Sequence, residues 1–250
     1  MATGLLLKDD IIISPLSVGI GAGDISTNSA LGYAALGSNT NGIANTALGS
    51  TALYSNTTGN YNTAVGMNAL VSNTTASSNA AVGYYSLSEN TTGSDNSAYG
   101  SQSLCKNTTG SCNTALGYRS LYFNTGGADN TAVGNHALYC NTGTYNTAVG
   151  SQSLQCNTTG VKNAAVGYRA LQRNTTGARN TASGYLSLRL NTTGSYNIAI
   201  GGNAMCSNTT ANSNTGVGYE SLSKNTTGSC NTASGYASLQ CNITGEMHNH

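Results

Sequence analysis

Asn45 to Tyr61 reads NTALGSTALYSNTTGNY, and nearly everything after residue 27 is a copy of it. Aligned on its first asparagine, the unit recurs thirteen times between Asn28 and Asn231. Every spacing is 17 residues except one of 16, where NTGTY over Asn141 to Tyr145 replaces the usual longer turn. A short fixed period means that each copy is one supersecondary turn, unable to bury its apolar face alone and therefore stacked on its neighbours. Columns are numbered 1–17 here from that first asparagine.

The columns separate into fixed and free ones. Column 1 is Asn and column 5 is Gly in all copies; column 3 is Ala except for Gly216; column 8 is Ala or Ser. Column 9 is Leu except for Met205, column 12 is always Asn, and column 13 is Thr except for Ile243. Columns 7, 10, 11, 16 and 17 accept charge, amide, aromatic or Cys. Gly and the Asn-Thr-Thr-Gly run recur too densely for a helix. The pattern predicts an all-β parallel β-roll, or β-solenoid, of thirteen ~17-residue rungs with two short strands per turn. Alternation along Asn-Thr-Ala-Val-Gly sends columns 1, 3 and 5 inward, where only small residues fit, and columns 2 and 4 outward. Leu at column 9 is the one sizeable plug. Asparagines stacked one rung apart donate and accept along their column, and suit the turn as well. Thirteen rungs at ~4.8 Å make a rod roughly 60 Å long.

Composition fits this picture. Charged residues make up 7% of the 250, with no Trp, one Phe (Phe123) and one Pro (Pro15), so no ordinary core of large side chains can form. A net charge of +1 argues against nucleic acid as the partner, and no apolar run reaches the length of a membrane span. One Leu, one Ala and one Val per rung bury little. The column-4 face is therefore expected to pack on another chain, with a homotrimer about a central axis as the closed solution.

Three segments follow: residues 1–27 as an N-terminal cap or attachment segment, 28–245 as the repeat domain, and 246–250 as a tail. Leu5 to Leu7 and Ile11 to Ile13 read as short strands, and Val18 to Gly23 as a degenerate half-repeat leading into the first rung, whose open backbone needs a cap. The start of the chain has too short an apolar run for a signal peptide. Export then needs another route, of which virion assembly is one.

Asn-Thr-Ala-Val-Gly-Tyr-x-Ser-Leu-x-x-Asn-Thr-Thr-Gly resembles the repeats that precede the chaperone domain of tail-fibre-domain proteins of phages and bacteria. More distantly it is similar to the head repeats of trimeric autotransporter adhesins. The resemblance covers residues 28–245. It implies a trimeric, left-handed β-roll serving as an extracellular or virion fibre. No chaperone domain, anchor barrel or coiled-coil stalk accompanies the repeats, so the chain reads as a fragment of a longer fibre or a short protein assembling through its ends.

No catalytic constellation stands out, and no cofactor is expected. The acids and His136, His248 and His250 do not recur with their columns. His248 and His250 invite a metal reading but read better as a chain end, so no metal site is expected. Seven cysteines fit no zinc spacing, although Cys140 and Cys156 share column 11 on adjacent rungs, within disulfide reach. Ten Asn-x-Thr sequons coincide with the turn column, which explains them without glycans. Lys162, Arg169, Arg173, Arg179 and Arg189 fall on neighbouring rungs, and column 6 carries Tyr168 and Tyr185; Arg169, Arg173, Arg179, Tyr168 and Tyr185 are the candidate receptor contacts.

These readings converge on a structural fibre or adhesin-like protein of a virion, phage tail or cell surface, a rigid homotrimeric rod meeting a cell-surface glycan or protein receptor. A self-assembling extracellular filament stacking end to end is the first alternative. An ice-binding solenoid, with Thr of column 13 or 2 ranked on one face, is the second.

Overall fold

The computed structural model describes residues 11–13, 16–23 and 25–245. Among them it is all-β, without helix: a β-solenoid whose thirteen rung strands are parallel and in register, from β3 (Ser29–Leu31) to β15 (Thr232–Ser234). Two further strands, β1 (Ile11–Ile13) and β2 (Leu16–Gly19), form an antiparallel hairpin, and β2 pairs antiparallel with β3. The hairpin thus covers the first rung's edge. Gly21 to Gly23 continue beneath that rung: the Ala22 N–H donates to the Leu36 carbonyl at 3.2 Å. The expected strand at Leu5 to Leu7 lies outside the described residues.

Each rung holds one strand of three residues, not two. In Thr46–Leu48, Ala47 is buried while Thr46 and Leu48 (42% exposed) face out, as alternation demands. The second strand expected around Leu53 is replaced by consecutive tight turns. The Ala52 N–H donates to the Gly49 carbonyl at 3.3 Å and the Asn56 N–H to Leu53 at 3.2 Å. Columns 7 and 9 stand at positive φ there, +56° at Thr51 and +51° at Leu53, separated by a residue of ordinary φ. A left-handed leucine is unfavourable on its own. Every rung carries column 9 that way because it points the only large apolar side chain into the core, where Leu53 and its equivalents are fully buried except for the half-buried Leu239 of the last rung.

Backbone groups are satisfied by the neighbouring rungs around the perimeter, which is what a thin rod requires. Column 2 donates to the next rung (Thr46 to Asn62, 2.8 Å) and column 5 to the previous one (Gly49 to Leu31, 2.8 Å). Column 9 bonds forward, Leu53 to Ala69 at 3.0 Å, and column 13 likewise, Thr57 to Thr74 at 2.8 Å.

The interior is half amide. Column-12 asparagines form an unbroken chain from Asn39 to Asn242, each Nδ2 donating to the Oδ1 one rung before, as from Asn56 to Asn39 at 2.9 Å. Column 1 forms a second ladder: the Asn62 N–H and Nδ2 donate to Asn45 Oδ1 at 2.9 and 3.2 Å. Both ladders also hold the turn carbonyl at column 15, so Gly59 O accepts from Asn45 at 2.8 Å and Asn56 at 3.0 Å. The expected amide stacking is therefore present, and it is the core's polar half. In the 16-residue rung the missing residue is absorbed in the turn. Asn141 reaches Gly143 O at 2.8 Å, and the strands on either side stay in register.

The column exceptions are coupled. Met205 is the only non-leucine of column 9 and Gly216 the only non-alanine of column 3. A Cβ at Gly216 would lie 3.0 Å from Ser221 Oγ and 3.1 and 3.3 Å from Met205 Cγ and Sδ, so the longer thioether, with the serine hydroxyl, occupies the space the missing methyl leaves. Gly216→Ala is expected to destabilise by ~1–3 kcal/mol through overpacking, and Met205→Leu to recover most of it. Additive losses in the double variant, read by chemical unfolding, would show the two exceptions to be unrelated.

Candidate recognition surface

With columns 1, 3, 8, 9 and 12 committed to the interior, recognition falls to the outward columns, which lie on three sides. Columns 2 and 4 form the flat sheet side. Columns 13 to 17 run along the turn side. Columns 6, 7, 10 and 11 share the third side, as ring contacts between them show: Tyr118 meets His136 at 5.3 Å, and His136 meets Tyr139 at 5.0 Å.

The basic band does not form one patch. Arg169 stands over Tyr168 at 4.9 Å, and its Nε donates to Gln152 at 2.6 Å; Tyr168 and Tyr185 stack at 5.7 Å. Arg173 lies in column 11 of the same side. Arg179 lies in column 17, on the turn side, over Tyr196 at 5.3 Å, and Lys162 stands over Tyr145 there. Proximity in sequence suggested one band because 17 residues of circumference were read as if they were a single face.

The same side holds a denser cluster that sequence reading missed. On the rungs beginning at Asn113 and Asn130, Arg119 lies over both Tyr118 (5.1 Å) and Tyr122 (5.4 Å). Tyr122 stacks on Tyr139 at 5.4 Å, and Phe123 sets its edge against both rings at 4.7 and 5.2 Å. Desolvation, helped by the Arg119 charge, lowers the His136 pKa from its ordinary value, so the ring is biased toward its neutral form. The signal was available: six of the eight residues in columns 6, 7, 10 and 11 of these two rungs are aromatic or cationic, Asn135 and Cys140 being the exceptions. It surfaces only when columns three apart are recognised as spatial neighbours.

Next to this cluster lies a groove of about 380 Å³, lined by Tyr85 and Gln102 of column 7, Ser88, Cys105 and Tyr122 of column 10, and residues of column 11. Column 11 supplies Glu89 and Lys106, which form an ion pair across adjacent rungs. The Glu89 bond raises the Lys106 pKa, so the lysine stays charged at neutral pH.

All seven cysteines are free thiols. Burial pushes both Cys140 and Cys156 above the ordinary thiol value, with the Arg173 charge pulling Cys156 back, so both are protonated and unreactive at neutral pH. Among the described residues no group of three or more His, Cys, Asp or Glu could hold a metal ion, and His248 and His250 lie outside them. The column-13 threonines are tied into the ladder, as Thr57 Oγ1 donates to Thr74 O at 3.0 Å. All of them but Thr125 spend the hydroxyl hydrogen on the next rung's carbonyl in this way.

No protein-family model, curated protein or solved structure matches this chain.

Proposed function

We propose that the chain is a rigid rod of a fibre or adhesin, at a virion or cell surface, working as a homotrimer and presenting its variable columns to a receptor. The observation that carries this reading is the apolar row of column 4. Leu116, Val166 and Ile200 are 49%, 45% and 43% exposed on a flat side that extends over all thirteen rungs. An exposed row that is apolar or aromatic over nine consecutive rungs from Leu31 to Val166, broken at Ser183 and ended at Ser234, needs a cover, and three copies around an axis cover it by turning that side inward. The other two sides then stay outward and free to vary, which is where the sequence varies.

The rod is expected to scatter light as a species near three times its 25.3 kDa mass. Leu116→Lys combined with Val149→Lys should reduce it to one chain with unchanged strand content, since column 4 already accepts Ser183, Ser234 and Tyr99. A monomeric wild-type protein sinks the trimer. Long filaments in negative stain, lost on removing residues 1–27, would move the function to end-to-end assembly. The ice-binding reading is left with column 2 alone, and thermal hysteresis at high protein concentration would be its sign.

A further inference from the structure

We propose that the groove between Tyr85 and Tyr122 is a binding site for a neutral sugar, of about disaccharide size. This deepens the receptor-contact reading above by locating a site and naming its ligand class. It does not need the trimer, because one chain supplies the whole groove.

The hollow has a simple origin. Column 10 carries bulk at Tyr54 and Val71, drops to Ser88 and Cys105 on the next two rungs, and rises again at Tyr122 and Tyr139. Two small residues between larger ones leave a depression about two rungs, or ~10 Å, long. Its volume of about 380 Å³ lies in the lower range of small-molecule sites.

Both walls are braced. Tyr85 packs edge-on against Tyr84 at 4.5 Å, and Tyr122 is held by Tyr139, Phe123 and Arg119. Rings held before a ligand arrives lose little freedom on binding. The floor is also set: Ser88 Oγ lies 3.2 Å from Cys105 Sγ. At one edge, Gln102 Oε1 accepts from Arg119 Nε at 2.6 Å. A guanidinium only donates, so this bond fixes the amide orientation and turns the Gln102 NH₂ to other acceptors.

Charge selects the class. Glu89 and Lys106 neutralise each other among the lining residues, and the Arg119 charge beside the groove is directed onto Gln102 and the tyrosine rings. What remains is two tyrosine rings beside a carboxylate, an ammonium and an amide donor. Sugars present the complement, C–H faces for the rings and hydroxyls that both donate and accept.

The test is saturation-transfer NMR on the full chain with lactose, maltose, cellobiose and chitobiose as probes, and choline and sulfate as charged comparisons. At least one disaccharide is expected to receive saturation at ~10 mM. Tyr122→Ala should weaken binding ~10-fold or more, and Tyr61→Ala, exposed on the turn side, should leave it unchanged. Ser88→Tyr fills the hollow without removing a wall, and column 10 accepts tyrosine elsewhere, so it should abolish the signal in a folded rod. The inference is overturned if no disaccharide responds, if a response survives both Tyr122→Ala and Ser88→Tyr, or if only a charged probe binds. A trimer that binds no sugar removes this site alone. A monomer that binds one removes the trimer and keeps the site.

Discussion

Gly150→Ala is expected to break the rod in its middle, whereas Gly235→Ala should only loosen its last rung. Column-5 glycines have φ between +120° and +139°, where an L-residue is strained by ~1–3 kcal/mol whatever surrounds it. Both positions share that term. They differ in what a methyl would meet. At Gly150 a Cβ would lie 2.5 Å from the Gly167 carbonyl oxygen and 2.7 Å from its carbon; at Gly235 nothing lies within 4 Å. The obstacle at Gly150 is backbone, which no rotamer change can move. Relief requires the rungs to part, and the bonds there are short: Gly150 to Val133 and Gly167 to Val149, each 2.7 Å.

Each opened or unmade ladder bond with no water to replace it costs ~1–3 kcal/mol. The expected loss is therefore ~1–3 kcal/mol for Gly235→Ala and above ~4 kcal/mol for Gly150→Ala. Chemical unfolding followed by circular dichroism reads the difference. In a stack where each repeat touches only its neighbours, a central defect also splits one transition into two. Equal shifts for the two variants would mean that the backbone angle, not rung contact, dictates column 5.

That glycine was legible as an invariant small position, but it sits at a half-buried corner rather than in the expected interior, and the two reasons behind it were not legible. A period of 17 gives the columns, and alternation gives which of columns 1 to 5 point inward. Neither gives the path of columns 6 to 11. There the strand expected around Leu53 is a run of turns with left-handed residues at columns 7 and 9, occupied by Thr, Asn, Arg, Tyr and Leu rather than by the glycine that marks such angles elsewhere. The local preference of these residues opposes the conformation, and stacking on thirteen rungs overrides it. The misread basic band has the same source. Without that path, Arg179 could not be separated from Arg169, nor Tyr85 placed beside Gln102 and Tyr122.

The turn tolerates a methyl at column 15. Column 15 is Gly except at Ala76 and Ala211. Where Ala76 sits, the Thr74 to Thr91 bond stretches to 3.4 Å, against 2.8 Å from Thr57 to Thr74 one rung earlier. At Ala211 the corresponding bond, Thr209 to Thr226, is 3.0 Å, no longer than Thr91 to Thr108 on a glycine rung. A methyl is accepted there although column-15 glycines also face backbone closely, a Cβ at Gly59 lying 2.3 Å from the Ala76 carbonyl oxygen, so what column 5 adds is its φ of +120° to +139°.

The asparagine ladder should be the second sensitive point, and pH distinguishes its two parts. Asn107 Nδ2 donates to Asn90 Oδ1 at 2.8 Å and to Gly110 O at 2.9 Å, while its Oδ1 accepts from Asn124 at 2.8 Å. Asn107→Leu keeps roughly the shape and removes all three bonds. Gly110 O retains Asn96 at 2.8 Å, and Asn124 retains Gly127 O at 2.8 Å, so the groups left wanting are Asn90 Oδ1 and one hydrogen of Asn124. Two buried polar groups orphaned at ~1–3 kcal/mol each give ~2–6 kcal/mol, with little dependence on pH.

Asn107→Asp keeps the acceptor for Asn124 but sets a carboxylate against Asn90 Oδ1. Burial and the facing oxygens raise the folded carboxyl pKa above its unfolded value of ~3.9. The folded state then binds more protons than the unfolded one over that window. Stability is fully retained only below ~3.9, where the protonated acid can donate to Asn90, and is lost progressively as pH rises through the raised folded value. Unfolding at low and neutral pH should therefore cross over: Asn107→Asp the better of the two variants in acid, Asn107→Leu the better near neutrality. If Asn107→Leu matches the parent at every pH, the amides only shape the turn, and a rod this thin is held by its backbone ladder and leucine column alone.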